Sequence, residues 1–379
     1  MKILITGGAG FIGSNLTKKL LEKGYYITIL DNLSPQIHGN GTNATLFDEI
    51  KDKVHFFKGD IRDANQLNRA LKGQDVVVHY AAETGTGQSM YEIEKYSDVN
   101  INGTALLLDL ISNHHKKTVK KVIVASSRSI YGEGKYLDAD GRFFYPNERS
   151  NDELKNGGFE IKCPKSGGNA EAVATDENSK LHPSSIYGLT KLTQEQMCLI
   201  AGKSLSIPTI ALRYQNVYGP GQSLKNPYTG ILSIFSNIIM SNGEINIFED
   251  GKETRDFVYI DDVVEATVLA IENNDELYEV FNVGSGIQTS VNKVVELLMA
   301  AYAEHSASIK ISGNYRLGDI RHNFADLTKI RSLLGFEPKW HFESGIKEFC
   351  SWVKESNSES NIESYHSSLE EMRSKGLLK

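Results

Sequence analysis

The chain has 379 residues, 40% of them hydrophobic and 23% charged, with a formal net charge of −7. This is an ordinary globular composition, long enough for one large or two modest domains. The acidic balance, with no basic run beyond His114-His115-Lys116-Lys117 and Lys120-Lys121, disfavours a nucleic-acid partner.

Short apolar strands alternate with helical segments along the first half. Met1 to Thr6 reads as a strand, Ser14 to Lys23 as a helix and Tyr26 to Leu30 as a second strand closed by Asp31. Val54 to Lys58 is a third strand, Asp63 to Leu71 a helix and Val76 to Tyr80 a fourth strand. A helix over Val99 to Ser112 leads to a fifth strand, Val122 to Ser126. A long helix over Ser185 to Lys203 precedes a sixth strand, Thr209 to Arg213. Such alternation calls for an α/β fold, a parallel sheet covered by helices on both faces. Residues 133–183 interrupt the rhythm with a polar, glycine-rich stretch that is long for a loop in a compact domain. After Tyr214 the pattern is less regular, as in a smaller mixed α/β unit, and from Lys354 onward it is rich in Ser, Asn and Glu.

The three cysteines, Cys163, Cys198 and Cys350, form no framework of paired spacings. No apolar run reaches the length of a membrane span, and Met1 leads straight into a strand and not into a signal peptide. A cytoplasmic protein with no membrane partner is expected.

The first turn reads Gly7-Gly8-Ala9-Gly10-Phe11-Ile12-Gly13 between a strand and a helix. Glycine there lets the backbone approach a pyrophosphate, and the helix N-terminus presents its free N–H groups. Asp31 closes the next strand at the spacing expected of a carboxylate that binds ribose hydroxyls. Asn32 and Leu33 follow with no arginine for a 2′-phosphate, so NAD is expected over NADP. Asp60-Ile61 and Ala81-Ala82 end strands on the same edge and join the expected cofactor site.

Tyr187 and Lys191 lie four apart and share a helix face, and Ser127 ends the fifth strand. A tyrosine has an unperturbed pKa of roughly 10. A neighbouring ammonium and a positive nicotinamide would lower it, making Tyr187 a base for a sugar hydroxyl. Ser127 would orient that oxygen, and Lys191 would also hold the nicotinamide ribose.

These motifs, with Arg213…Asn216-Val217-Tyr218-Gly219-Pro220, Arg255-Asp256-Phe257-Val258 and Arg316…Gly318-Asp319, resemble an extended short-chain dehydrogenase/reductase of the nucleotide-sugar epimerase and dehydratase group. The resemblance implies a Rossmann-type doubly wound sheet over 1–212, with the insertion at about 133–183 and a returning segment at about 256–284. It implies a nucleotide-sugar domain mainly over 213–350, a peripheral helix or tail over 351–379, a homodimer, and a nucleotide-diphosphate sugar as substrate. Ser127, Tyr187 and Lys191 are the implied catalytic residues. Dehydratases of the group carry an Asp-Glu pair after the catalytic Ser/Thr, and the decarboxylases usually keep a glutamate at the position of Ser129; this chain has Arg128-Ser129. Epimerisation at C4, with NAD retained, is what remains. Net 4-ketoreduction with NADPH, a UDP-hexose substrate and a non-catalytic NAD sensor are the alternatives.

Arg255, Arg316 and Asn216 are candidate diphosphate ligands. Glu83 and Arg128 are further substrate candidates, and Asn100 resembles a helix asparagine that supports the site. Gly87 to Ile93, Ser127 to Gly134 and Gly318 to His322 resemble the branch of the group whose members epimerise dTDP-L-rhamnose at C4. Relatives carry a Cys-Pro-x-Cys-Gly turn in the insertion, whereas this chain reads Cys163-Pro164-Lys165-Ser166-Gly167. One thiol cannot form the paired-cysteine half of a zinc site, so no metal is expected. The insertion itself is expected to lie over the sugar pocket as a lid.

Overall fold

The computed structural model describes residues 1–39, 46–224, 226, 228, 230–356 and 362–379. Seven strands form its main sheet: β1 (Lys2–Thr6), β2 (Tyr26–Asp31), β3 (His55–Lys58), β4 (Val76–His79), β5 (Lys121–Ser127), β6 (Thr209–Tyr214) and β7 (Tyr278–Val283). Their spatial order is β3-β2-β1-β4-β5-β6-β7, and every pairing is parallel. The order reverses between β1 and β4. In an open parallel sheet, that reversal opens a crevice at the carboxyl ends of the strands. Both faces are covered, so strands such as Val76–His79 are buried along their whole length.

Helix α1 (Phe11–Glu22) follows the glycine turn, and Gly10 is its N-cap with no side-chain cap. Gly7 has φ of +69°, and a Cβ there would stand 2.7 Å from the Ala81 backbone nitrogen. The turn is thus wedged against the end of β4, where only glycine fits. Helix α2 (Ile186–Leu205) starts at Ser185, whose hydroxyl accepts the Gly188 N–H at 3.1 Å. Between β4 and β5 the helical run over 93–115 contains two π-turns, Asp98–Asn102 and Ile111–His115. The sequence pattern predicts a regular helix there; the first π-turn instead carries the buried Asn100.

One buried ion pair ties α2 to the sheet. The Arg213 guanidinium on β6 donates to both Glu195 carboxylate oxygens, at 2.9 and 2.7 Å. It also donates to the Tyr131 hydroxyl at 2.7 Å, and Glu195 accepts the Ser126 hydroxyl at 2.6 Å.

The 133–183 segment folds as a small antiparallel sheet of Lys135–Leu137, Phe143–Phe144 and Glu171–Val173. It also has one short helix, Asn151–Lys155, whose N-terminus is closed by a Ser150–Glu153 capping box. A chain of buried charges joins it to the C-terminal half. Arg149 pairs with Glu133 and Glu249, at 3.3 and 2.8 Å. The fully buried Arg321 meets Glu160 and Glu249, at 2.5 and 2.9 Å. The Cys163 turn closes through Gly167 N–H to the Cys163 carbonyl, at 2.9 Å.

Candidate active site

A cavity of about 610 Å³ opens at the carboxyl ends of β1, β2, β4, β5 and β6. That volume suits a cofactor together with a substrate. Its floor is the glycine turn: Gly7, Gly10, Phe11, Ile12 and Gly13 all line it. Asp31, Asn32, Ile61, Ala81 and Ala82 line the same end. The Asp31 carboxylate is fixed by the Ala9 N–H at 3.0 Å and the Leu33 N–H at 2.8 Å, each oxygen keeping a further lone pair. Burial pushes its pKa up, against those N–H groups and the nearby His38. His38 Nε2 lies 3.8 Å from the carboxylate and was not singled out in the sequence.

Two expected cofactor residues stand behind this wall. Asp60 does not line the cavity; it is held by Arg62 through two hydrogen bonds of 2.8 Å and by Asn32 at 3.1 Å. The Arg62 contact holds its carboxyl well below the usual range. Asn100 is fully buried and also off the cavity surface. Its amide accepts the Glu83 N–H at 2.7 Å and donates to the Glu83 carbonyl and to Thr190 Oγ1. Asn100 therefore locks the loop after β4 to α2.

Ser127, Tyr187 and Lys191 meet in the cavity wall. Ser127 comes from the end of β5 and the other two from adjacent turns of α2. Burial pushes the Tyr187 phenol up, while Ser127 and then Arg128 pull it down. Burial pushes Lys191 down to about 8. Its ammonium donates to Gln194 Oε1 at 2.7 Å. Gln194 is in turn held by Thr104 Oγ1 at 2.8 Å, behind the buried His79.

The other end of the cavity is polar. Glu83, Arg128, Asn216, Arg255 and Arg316 all reach it. Glu83 faces Lys95 at 3.5 Å. Arg255 spends its terminal nitrogens on the carbonyls of Thr254, Arg321 and Ile320, at 2.7–2.9 Å. Arg316 donates through Nε to Asp319 at 2.8 Å. Several side chains lining this end have buried polar atoms with no partner: Gln215, Asn216, Gln222, Asn246 and Glu253. Burial pushes the Glu253 carboxyl up to about 7. Unmet buried polar groups are costly, so their concentration on one wall marks a place for a polar ligand.

Two features of this end were missed in the sequence. Helix α3 (Ile362–Ser374) lines the cavity with Tyr365 and Met372. Its Glu371 carboxylate accepts the Tyr91 and Tyr228 hydroxyls, both at 3.1 Å. The last residues then pair with the Arg316 loop, Leu317 N–H to the Leu377 carbonyl at 3.0 Å. Leu369, Met372 and Leu378 anchor this segment in a small apolar cluster, too weak a periodic signal to read from sequence. Conversely, no residue of 133–183 lines the cavity, which corrects the expectation of a lid. Glu133, Arg149 and Glu160 of the insertion brace the segments that carry Glu253, Arg255 and Arg316. Arg149 also binds the Asp319 carbonyl, at 2.8 Å.

The NAD dependent epimerase/dehydratase family matches residues 3–149 and 165–284. The chain is 37% identical to the dTDP-L-rhamnose 4-epimerase of Burkholderia thailandensis, over 93% of this chain and 94% of the relative. The UDP-glucose 4-epimerase of Thermotoga maritima, solved with UDP-glucose, superposes with a TM-score of 0.74 at 31% identity, covering 94% of this chain and 100% of that one. The UDP-glucuronic acid 4-epimerase of Bacillus cereus, solved with UDP-glucuronic acid and NAD, gives 0.73 at 28% identity, covering 93% and 99%. The chain belongs to the NAD-dependent epimerase/dehydratase family. It is an enzyme of that family, with NAD as cofactor, and the wedged glycine turn, uncapped α1 and Asp31 are fitted to hold the dinucleotide.

Proposed function

We propose that the protein epimerises a nucleotide sugar at C4, interconverting dTDP-L-rhamnose and dTDP-6-deoxy-L-talose for polysaccharide synthesis. The observation that carries this reading is the meeting of Ser127, Tyr187 and Lys191 in one wall, next to Arg128-Ser129 where an eliminating enzyme needs acids. Bound NAD would supply the hydride acceptor for C4 and the hydride for the opposite face of the resulting keto sugar. Tyr187 takes the C4 hydroxyl proton in the first half and gives it back in the second, so no proton or electron is consumed. Ser127 holds the oxygen through both halves. Lys191, kept in place by Gln194, adds positive charge near the phenol and holds the nicotinamide ribose. Asn216 and Arg316 bind the diphosphate, and Glu83 faces the sugar.

The 37% identity to a dTDP-L-rhamnose 4-epimerase supports the sugar assignment. A homodimer formed through the helices near 99–112 and 185–203 belongs to the same reading. Among the described residues no helix is long and apolar enough to cross a membrane.

The test is incubation with dTDP-L-rhamnose, UDP-glucose and UDP-glucuronic acid separately, without added cofactor, reading products by NMR. Conversion of dTDP-L-rhamnose to its C4 epimer is expected. Turnover of the UDP sugars alone would overturn the substrate assignment, and a strict need for added NADPH would overturn epimerisation.

A further inference from the structure

Arg128 stands immediately after Ser127 and lines the cavity. Its guanidinium is engaged by no hydrogen bond or ion pair among the described residues, and its Nη1 is buried without a partner. An arginine usually spends its five donors on carboxylates, carbonyls or water. A buried guanidinium nitrogen left unsatisfied is costly, and a ligand phosphate can offset that cost. Burial first, and then the Arg255 charge, push its pKa down to about 9, with Asp319 opposing. Arg128 and Arg255 both line the cavity, close enough for the Arg255 charge to bear on Arg128. Arg255 is anchored by three backbone carbonyls and brings fixed positive charge, whereas Arg128 brings free donors.

We propose that Arg128 is a substrate-binding residue whose guanidinium, beside Arg255, cradles the sugar-proximal phosphate of the nucleoside diphosphate sugar. The inference rests on the nucleotide-sugar reading above and assigns one part of that substrate to one residue. A guanidinium fork matches two phosphate oxygens, and the second positive charge favours a dianionic diphosphate over a neutral group. Because Arg128 is bonded to Ser127 through the backbone, the same contact fixes the distance from the diphosphate to the reacting carbon. A substrate with its sugar-proximal phosphate in this cradle presents its ring to Ser127 and Tyr187.

The test uses the NAD-loaded protein and measures binding of dTDP and dTMP calorimetrically to the wild type, Arg128→Met and Arg128→Lys. The second phosphate is the only difference between the two ligands. In the wild type, dTDP should bind at least tenfold more tightly than dTMP. In Arg128→Met that advantage should fall at least tenfold, with dTMP affinity and NAD content unchanged, and Arg128→Lys should restore part of it. Equal losses for dTDP and dTMP, or no loss for either, would overturn the cradle. UDP is titrated into the wild type as well; should it bind neither dTDP nor UDP, the nucleotide-sugar reading itself fails, an outcome distinct from an insensitive variant.

Discussion

Replacing Tyr187 by Phe should lower turnover by roughly a hundred- to ten-thousand-fold, the usual worth of a positioned acid–base group. The ring stays packed between α2 and the end of β5, and only the hydroxyl is lost. NAD should remain bound at wild-type stoichiometry, because the glycine turn, Asp31 and Lys191 are untouched. Burial holds the phenol above its ordinary value, against Ser127 and Arg128. A positive nicotinamide beside the phenol would lower it further. The phenolate absorbance assigned to Tyr187, by difference from the Phe variant, should appear at lower pH with NAD bound than without it. Turnover within tenfold of wild type in Tyr187→Phe would show that another group moves the proton.

The second large effect is on stability. Glu195→Ala should destabilise the protein by about 3–5 kcal/mol, because it leaves the Arg213 guanidinium buried without its counter-charge. Glu195 and Arg213 are 0% and 2% exposed at their side chains, so water cannot replace the lost carboxylate. Removing both charges in Glu195→Leu/Arg213→Met should cost less than the single change, since a buried pair is often replaceable by apolar packing. The effect should extend to catalysis, because Glu195 also accepts the hydroxyl of Ser126, the neighbour of Ser127. Denaturant unfolding of the wild type and the two variants checks the order; a single variant as stable as wild type would show that the pair contributes little.

The parallel sheet was legible because its strands are short, apolar and separated by helices with recognisable ends. Asp63 caps the helix after β3 through the Asn65 and Gln66 N–H groups, as its place in the sequence implies. The side chains proposed as catalytic, Ser127, Tyr187 and Lys191, were legible for a related reason, since each sits at a fixed offset from a strand end or on one helix face. The polar end was less so. Arg255 reaches the cavity, yet its terminal nitrogens serve three carbonyls, a use that only the tertiary fold reveals. Asp60 ends a strand on the right edge, but Arg62, two residues on, claims its carboxylate. The strands of the insertion are two or three residues long and carry no periodic signal. Its bracing role lies in contacts such as Arg149 to Glu249, 100 residues apart in sequence. The contribution of α3 is invisible for the same reason: Glu371 meets Tyr91 across 280 residues.

The most direct test of the central claim is isotopic. dTDP-L-rhamnose carrying deuterium at C4 should be converted to its C4 epimer with the deuterium still at C4, in ordinary water and without added cofactor. Retention shows that the hydride left and returned within one active site, on an NAD that never exchanged. Loss of the label, with hydrogen at C4 of the product, would contradict transient oxidation by a retained NAD.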